Sequence, residues 1–252
     1  MVIVLIANFL NIVFNYILIY GKLGLPAMGL QGAGYGTLIA RIFMALAFIF
    51  VFAKLPLFQP YIEMVKKVKY SWQSTLKIIR LGIPIGLQLE LEASAFMLST
   101  IMMGWISVEG LAAHQIVLSI STFSFMIYQG FSASTTICIS SLFGKKNMVE
   151  VKRCGWAASH IVAGATAILS LLFGLTRSIL PSFFTSNPEV IDLAVQLLFV
   201  MIIFQLFDGF QVLFNSILRG LSDVNIPTII AFIAYFIIAL PTGYLCAFVF
   251  EM

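Results

Sequence analysis

The chain has 252 residues, 61% of them apolar and only 10% charged, with a net charge of +4 and a mean hydropathy of +1.07. Soluble domains run at roughly 45–50% apolar and about 25% charged, and a soluble protein of this size needs a polar surface that this composition does not supply. A soluble enzyme, a secreted disulfide scaffold and a disordered tail are excluded, leaving an all-α polytopic membrane protein.

The basic residues lie between apolar stretches and not on a basic domain, so nucleic acid is not an expected partner. Cys138, Cys154 and Cys246 are too scattered for a CxxC redox or metal motif, and each reads as a small apolar helix residue.

A helix needs about 20 residues, at 1.5 Å each, to cross about 30 Å of hydrocarbon. That ruler gives seven spans, at 2–20, 29–53, 79–104, 111–141, 153–177, 189–218 and 226–249. The first has no basic leader and no small-residue cleavage site, so it reads as a span and not as a removable signal. Gly21-Lys22-Leu23-Gly24-Leu25-Pro26 closes it. In the second, Gly29, Gly32, Gly34 and Gly36 permit close helix approach, and Arg41 is a lone cation inside the span.

The longest connection, 55–78, carries Tyr61, Met64, Val65, Val68 and Trp72 at helical spacing, with Lys66, Lys67 and Lys69 opposite. This suits a helix lying on the membrane surface; a solvated linker with membrane-attracted lysines fits as well. Either way it separates residues 1–54, with two helices, from residues 79–252, with five. Gly144-Lys145-Lys146-Asn147, Pro181 to Pro188, and Arg219-Gly220-Leu221-Ser222-Asp223 supply the later breaks. Pro241 falls inside the seventh span, where it predicts a helix kink near Ile237, either a gating point or a passive bend.

Lys54, Lys66, Lys67, Lys69, Lys77, Arg80, Lys145, Lys146, Lys152, Arg153 and Arg219 fall on one side of the membrane, against only Lys22 and Arg177 on the other. The positive-inside rule therefore places the N-terminus of this chain in the cytoplasm and the protein in the cytoplasmic (inner) membrane.

Acidic groups within apolar spans are costly and point to function. Three qualify: Glu90, Glu92 and Asp208. Glu92 lies twelve residues past Arg80 and Asp208 eleven before Arg219, about 18 Å and about 16 Å from the cytoplasmic ends of two oppositely directed helices. Matched depth favours one polar cavity. Gln88 and Ser99 share the Glu92 stripe; Gln205, Gln211 and Asn215 accompany Asp208. Glu90 is about 200° around the helix from Glu92 and cannot face the same cavity. Two readings are open: neutral, hydrogen-bonded acids that glue helices together, or carboxylates that exchange a bound H⁺ or Na⁺ for a cationic substrate, the physical basis of antiport.

The run Leu81-Gly82-Ile83-Pro84-Ile85-Gly86-Leu87 with Glu92 and Phe96 resembles the seventh helix of multidrug and toxic-compound extrusion (MATE) transporters. Leu111-Ala112-Ala113-His114-Gln115-Ile116 resembles the start of their eighth. Gln205, Asp208, Gln211, Leu218-Arg219-Gly220, Asp223 and Pro227 resemble their tenth helix and its loop; Tyr235, Leu240-Pro241 and Gly243-Tyr244 resemble their eleventh. Asn11, Asn15 and Gly24-Leu25-Pro26 suit the fifth, and Gly32 to Arg41 the sixth.

The resemblance implies a twelve-helix fold of two lobes and the export of drugs or organic cations in exchange for Na⁺ or H⁺. Glu92 and Asp208 would be the cation-coupling carboxylates, and the Na⁺ ligands if sodium is the coupling ion. Gln88, Gln205, Gln211, Asn215 and Tyr235 would line or support the cavity, and Phe204 stands where some members have tyrosine. No cofactor is expected beyond the coupling ion. The chain would cover helices five to eleven, a truncated transporter unable to transport alone, whose partners are the lipid bilayer and the missing helices. Alternatives are a lipid-linked oligosaccharide flippase of the same superfamily, for which Arg41 is the only cation within a span, and a non-transporting membrane fragment.

An intramembrane enzyme is not expected. HExxH spacing is absent, and His114 and His160 lie near opposite helix ends, away from the acids; no mid-helix lysine offers a Schiff base. The 11 methionines and 24 phenylalanines supply adaptable walls without naming a substrate.

Overall fold

The computed structural model describes residues 1–24, 26–67 and 70–249, with Lys66 and Lys67 described by backbone alone. Leu25 of the first turn motif, and Val68 and Lys69 of the expected surface helix, lie outside the described residues. The chain divides into two units, Met1–Trp72 and Gln73–Met252.

In the first unit, α1 (Val2–Tyr20) ends at Gly21, whose left-handed φ of 64° lets its N–H return to the Ile17 carbonyl. The chain turns back as α2 (Gly29–Lys54). Its Gly32 and Gly36 face α1: a Cβ on Gly32 would lie 2.6 Å from the Leu18 carbonyl carbon, and one on Gly36 3.0 Å from the Asn15 nitrogen. Buried Ala7 and Ala40 continue this seam, so the two backbones touch as small-residue interfaces allow. A Cβ on Gly34 would meet nothing within 4 Å, so only two of the four expected packing glycines are in the contact.

A short 3₁₀ turn (Pro56–Phe58) then leads into α3 (Gln59–Lys67). The connection is thus not one helix from Tyr61 to Trp72. Tyr61, Met64 and Val65 lie on α3, whereas Trp72 opens the next helix.

The second unit holds α4 (Trp72–Ile106), α5 (Val108–Gly144), α6 (Met148–Thr176), α7 (Pro188–Gly220) and α8 (Asn225–Val249). Together with α1 and α2, these are, among the described residues, seven helices long and apolar enough to cross a membrane, and the chain is a multi-pass membrane protein. Several exceed the expected spans. The apolar run sets how much of a helix sits in hydrocarbon, but a helix ends only where something caps it. Ser107, extended at φ −160°, alone separates α4 from α5 and accepts a bond from the Gly110 N–H. Asn147 caps α6 by accepting from the Glu150 N–H, and Asn187, followed by Pro188, caps α7 by accepting from the Glu189 N–H.

Around Pro241 the helix changes its winding. In α8, π-helical turns at Ile233–Ala239 and Leu245–Val249 flank a short α-helical piece, Leu240–Tyr244. The Leu240 N–H bonds to the carbonyl of Tyr235, five residues back. Proline lacks an N–H and crowds the preceding turn; widening the helix absorbs both.

Helices α5, α6 and α7 form the packed centre. Ala113, Val162, Ala194, Leu198 and Leu213 have no exposed surface. A Cβ on Gly220 would come within 2.9 Å of Ile139 Cγ2, so α7 and α5 are in close contact there. Polar groups inside this packing bond to one another. Gln205 spans all three helices, its Oε1 accepting from Ser124 at 3.1 Å and its Nε2 donating to Ser170 at 2.9 Å. Thr136 donates to the Ser216 carbonyl at 2.9 Å. Each such bond contributes on average about 0.6 kcal/mol in a membrane. Cys138 and Cys154, distant in sequence, meet across α5 and α6 with their sulfurs 2.6 Å apart.

Candidate functional site

Helices α4 and α8 are joined through side chains to the centre and to each other. Pro84, inside α4, leaves the helix ladder one bond short. One turn away from that gap, Thr228 of α8 donates to the Pro84 carbonyl at 2.9 Å. Higher on α4, the Phe96 ring meets Phe204 of α7 edge-on at 6.4 Å and lies 6.4 Å from the Tyr235 ring of α8.

These contacts leave a cavity of 440 Å³, with Glu92 and Phe96 from α4, Thr122, Phe125 and Gln129 from α5, and Phe204 and Asp208 from α7 among its lining. Glu92 and Asp208 therefore line one chamber and are within electrostatic reach of each other. Antiparallel helices with matched carboxylate depths bring them there.

Asp208 is only 6% exposed. Among the described residues, the one ion pair within 4.0 Å is Arg153–Glu150, near the start of α6; neither cavity carboxylate has such a partner. Glu92 faces the Tyr235 hydroxyl, which itself accepts from Gln211 Nε2 at 2.9 Å and so has its own O–H to offer the carboxylate. Arg219 also lies within electrostatic reach of Glu92, and its Nη2 donates to Gln88 Oε1 at 3.0 Å.

The other expected site residues fall in different places. Gln88 is buried and bonded to Arg219, not on the cavity wall. Gln205 faces the opposite way, into the α5–α6–α7 packing. Gln211 and Tyr235 support Glu92 from behind. Asn215 is half-buried on α7, outside the lining. Glu90 is exposed, away from the chamber. The sequence marks Arg219 as the cytoplasmic end of its helix, and nothing in its flanking residues announces that the side chain turns inward. Gln129 and Thr122 escaped notice too, although Gln129 is an isolated amide in an apolar span and the rule applied to the acids would have found it.

Among the described residues no three His, Cys, Asp or Glu side chains gather as a metal cluster. Two carboxylates accompanied by hydroxyl and amide oxygens are instead a hard, all-oxygen donor set suited to Na⁺ or a proton. The aromatic wall of Phe96, Phe125 and Phe204 suits the face of an organic cation. In the first unit a cavity of only 60 Å³ is lined by Asn8, Asn11, Thr37 and Arg41, with Asn11 Nδ2 donating to Thr37 Oγ1 at 3.3 Å.

Comparison with known proteins bears on this arrangement. The chain is 34% identical to the probable multidrug resistance protein NorM of Mesorhizobium japonicum, over 99% of its own length and 55% of that protein's. It is 34% identical to the probable multidrug resistance protein NorM of Oceanobacillus iheyensis, over 98% and 55%. Among solved structures, the eukaryotic MATE transporter AtDTX14 superposes with a TM-score of 0.83 at 18% identity, over 98% of this chain and 55% of the other. A MATE in the bent conformation does so with a TM-score of 0.79, also at 18% identity, over 100% and 54%. The chain thus spans about half the length of the relatives it matches, and shares their fold. The MatE family model matches residues 84–245, a stretch that runs from Pro84 past both cavity carboxylates into α8, and on that match this chain belongs to the MatE family.

Proposed function

We propose that the full-length protein is a cation-coupled antiporter, exchanging Na⁺ or H⁺ for drugs or organic cations across the cytoplasmic membrane. The observation that carries this reading is the shared chamber: Glu92 and Asp208 line one aromatic-walled cavity, and among the described residues neither has an ion pair within 4.0 Å. Two carboxylates in low dielectric without an ion-pair partner are costly, so the chamber favours a cation in it. A proton, a sodium ion or an organic cation each meets that need, and competition among them couples their movements. The relatives' printed names as probable multidrug resistance proteins support the same reading, and a transporter of this kind is not an enzyme.

In this reading residues 1–54 and 79–252 belong to different lobes joined by residues 55–78, and the N-terminus faces the cytoplasm, as the distribution of lysine and arginine supports. Glu92, Asp208 and the oxygens around them hold the coupling ion, with Tyr235 and Gln211 orienting Glu92. The flippase alternative is disfavoured because the cavity beside Arg41 holds only 60 Å³, too small for a pyrophosphate headgroup, and the larger cavity is acidic.

In the full-length protein, Glu92→Gln or Asp208→Asn is expected to lower drug efflux at least about a hundredfold at unchanged membrane expression, since each removes a charge the coupling step requires. Efflux retained in both variants would remove the coupling role. Driving vesicle efflux with a Na⁺ gradient and then with a pH gradient identifies the ion.

A further inference from the structure

Arg219 occupies the last turn of α7, where a guanidinium ordinarily extends toward water. Here it turns inward. Its Nη2 donates to Gln88 Oε1 at 3.0 Å, and Gln88 is 1% exposed. Gln88 sits one turn before Glu92 on the same face of α4, so the bond places a fixed positive charge beside the coupling carboxylate, within electrostatic reach of it. The two are not paired: the one ion pair within 4.0 Å among the described residues is elsewhere.

Two buried donors in this cluster lack an acceptor, Gln88 Nε2 and Arg219 Nε. Buried donors without partners are rare and costly, and a carboxylate is the strongest acceptor such a pair can meet. The Glu92 carboxylate is one turn away on the same helix. In the present arrangement it faces Tyr235 and the cavity. At i, i+4 spacing Gln88 and Glu92 share one face of α4, within reach of each other's side chains. The other titratable or charged groups around it are Asp208 from α7 and Tyr235 from α8.

We infer that Arg219, held by Gln88, is a tethered counter-cation for Glu92: an incoming ion or organic cation binds by taking the carboxylate from the guanidinium, and leaves when the guanidinium takes it back. The inference rests on the coupling role proposed for Glu92 and deepens it by naming the group that the transported cation displaces. Competition of this kind weakens cation binding and speeds release. Arg219 is then a positioning residue that sets ion affinity, not one that touches substrate.

The test is ethidium efflux from vesicles carrying the full-length protein, measured while the coupling ion is titrated. Arg219→Gln is expected to lower the half-saturating ion concentration about tenfold, as loss of one charge partner near a partly buried carboxylate would, and to lower the maximal rate because release slows. Arg219→Lys keeps the charge and should restore half-saturation to within about twofold of the parent. Gln88→Leu frees the guanidinium without removing it and should shift half-saturation in the same direction by a smaller factor. Unchanged half-saturation in Arg219→Gln and Gln88→Leu, with Glu92→Gln inactive, would overturn the counter-cation role and leave the coupling role standing. A fully active Glu92→Gln would overturn the reading beneath it.

Discussion

Asp208 and Glu92 look out on the same cavity from two unlike parts of the molecule. Asp208 belongs to the α5–α6–α7 centre, where helices touch at Gly209 and Gly220, and buried amides and hydroxyls bond to one another. Glu92 belongs to α4, which is tied to that centre by side chains, Arg219 to Gln88 and Phe96 against Phe204; α8 is tied to the centre through Gln211 to Tyr235 and to α4 through Thr228 to Pro84. α4 contains a proline and α8 two π-helical stretches, whereas α5, α6 and α7 run unbroken. Packing density resists small displacements; a few side-chain bonds do not. Under the proposed coupling, a cation that draws the two carboxylates together would therefore move α4 more readily than α7.

The contrast is sharpest for glycine substitutions. Gly220→Val places carbon where Ile139 already stands, with the Cβ alone 2.9 Å from its Cγ2, and is expected to cost about 3 kcal/mol, read as a fall in the unfolding midpoint in detergent. Gly86→Ala on α4, where a Cβ would meet nothing within 4 Å, should leave that midpoint in place. Equal losses in both would erase the distinction between centre and flank.

A middle-sized effect is expected at Gln205. Changing it to Leu strands Ser124 and Ser170 in the packing and should cost about 1–2 kcal/mol, while the half-saturating ion concentration stays put because Gln205 faces away from the cavity. A shifted half-saturation would return Gln205 to the ion site.

The smallest effect concerns the tie between α8 and α4. Thr228→Val removes the bond to the Pro84 carbonyl, worth about 0.6 kcal/mol by analogy with other interhelical bonds in membranes. Stability should scarcely change, but the rate of efflux should, if α4 moves as argued. An unaltered rate would place the moving part elsewhere.

Much of this was legible before any coordinates. The seven spans follow from runs of apolar residues, because transfer into hydrocarbon is a nearly additive local property. The caps at Asn147 and Asn187 were not read from the sequence, where the spans begin at 153 and 189, because hydropathy takes no account of a side chain that accepts from a helix's first N–H groups. The candidate carboxylates stood out because an acid in an apolar span is rare and costly. Less legible was the start of α4 at Trp72, seven residues before the expected one, since hydropathy does not say where a helix is capped.

Residue chemistry along the chain, then, decides that seven helices among the described residues are long and apolar enough to cross a membrane and that acids stand out within two of them. The rotation of each helix about its own axis is a different matter. Gln205 and Asp208 sit within one turn of α7, yet packing against α5 and α6 turns the first into the interior and the second toward the cavity. Arg219 reaching in to Gln88, and α8 widening into π turns around Pro241, were likewise settled by neighbours distant in sequence. Spans are set by a sum over adjacent residues, but a side chain's partner is set by which faces interlock, and that exists only once the helices are together.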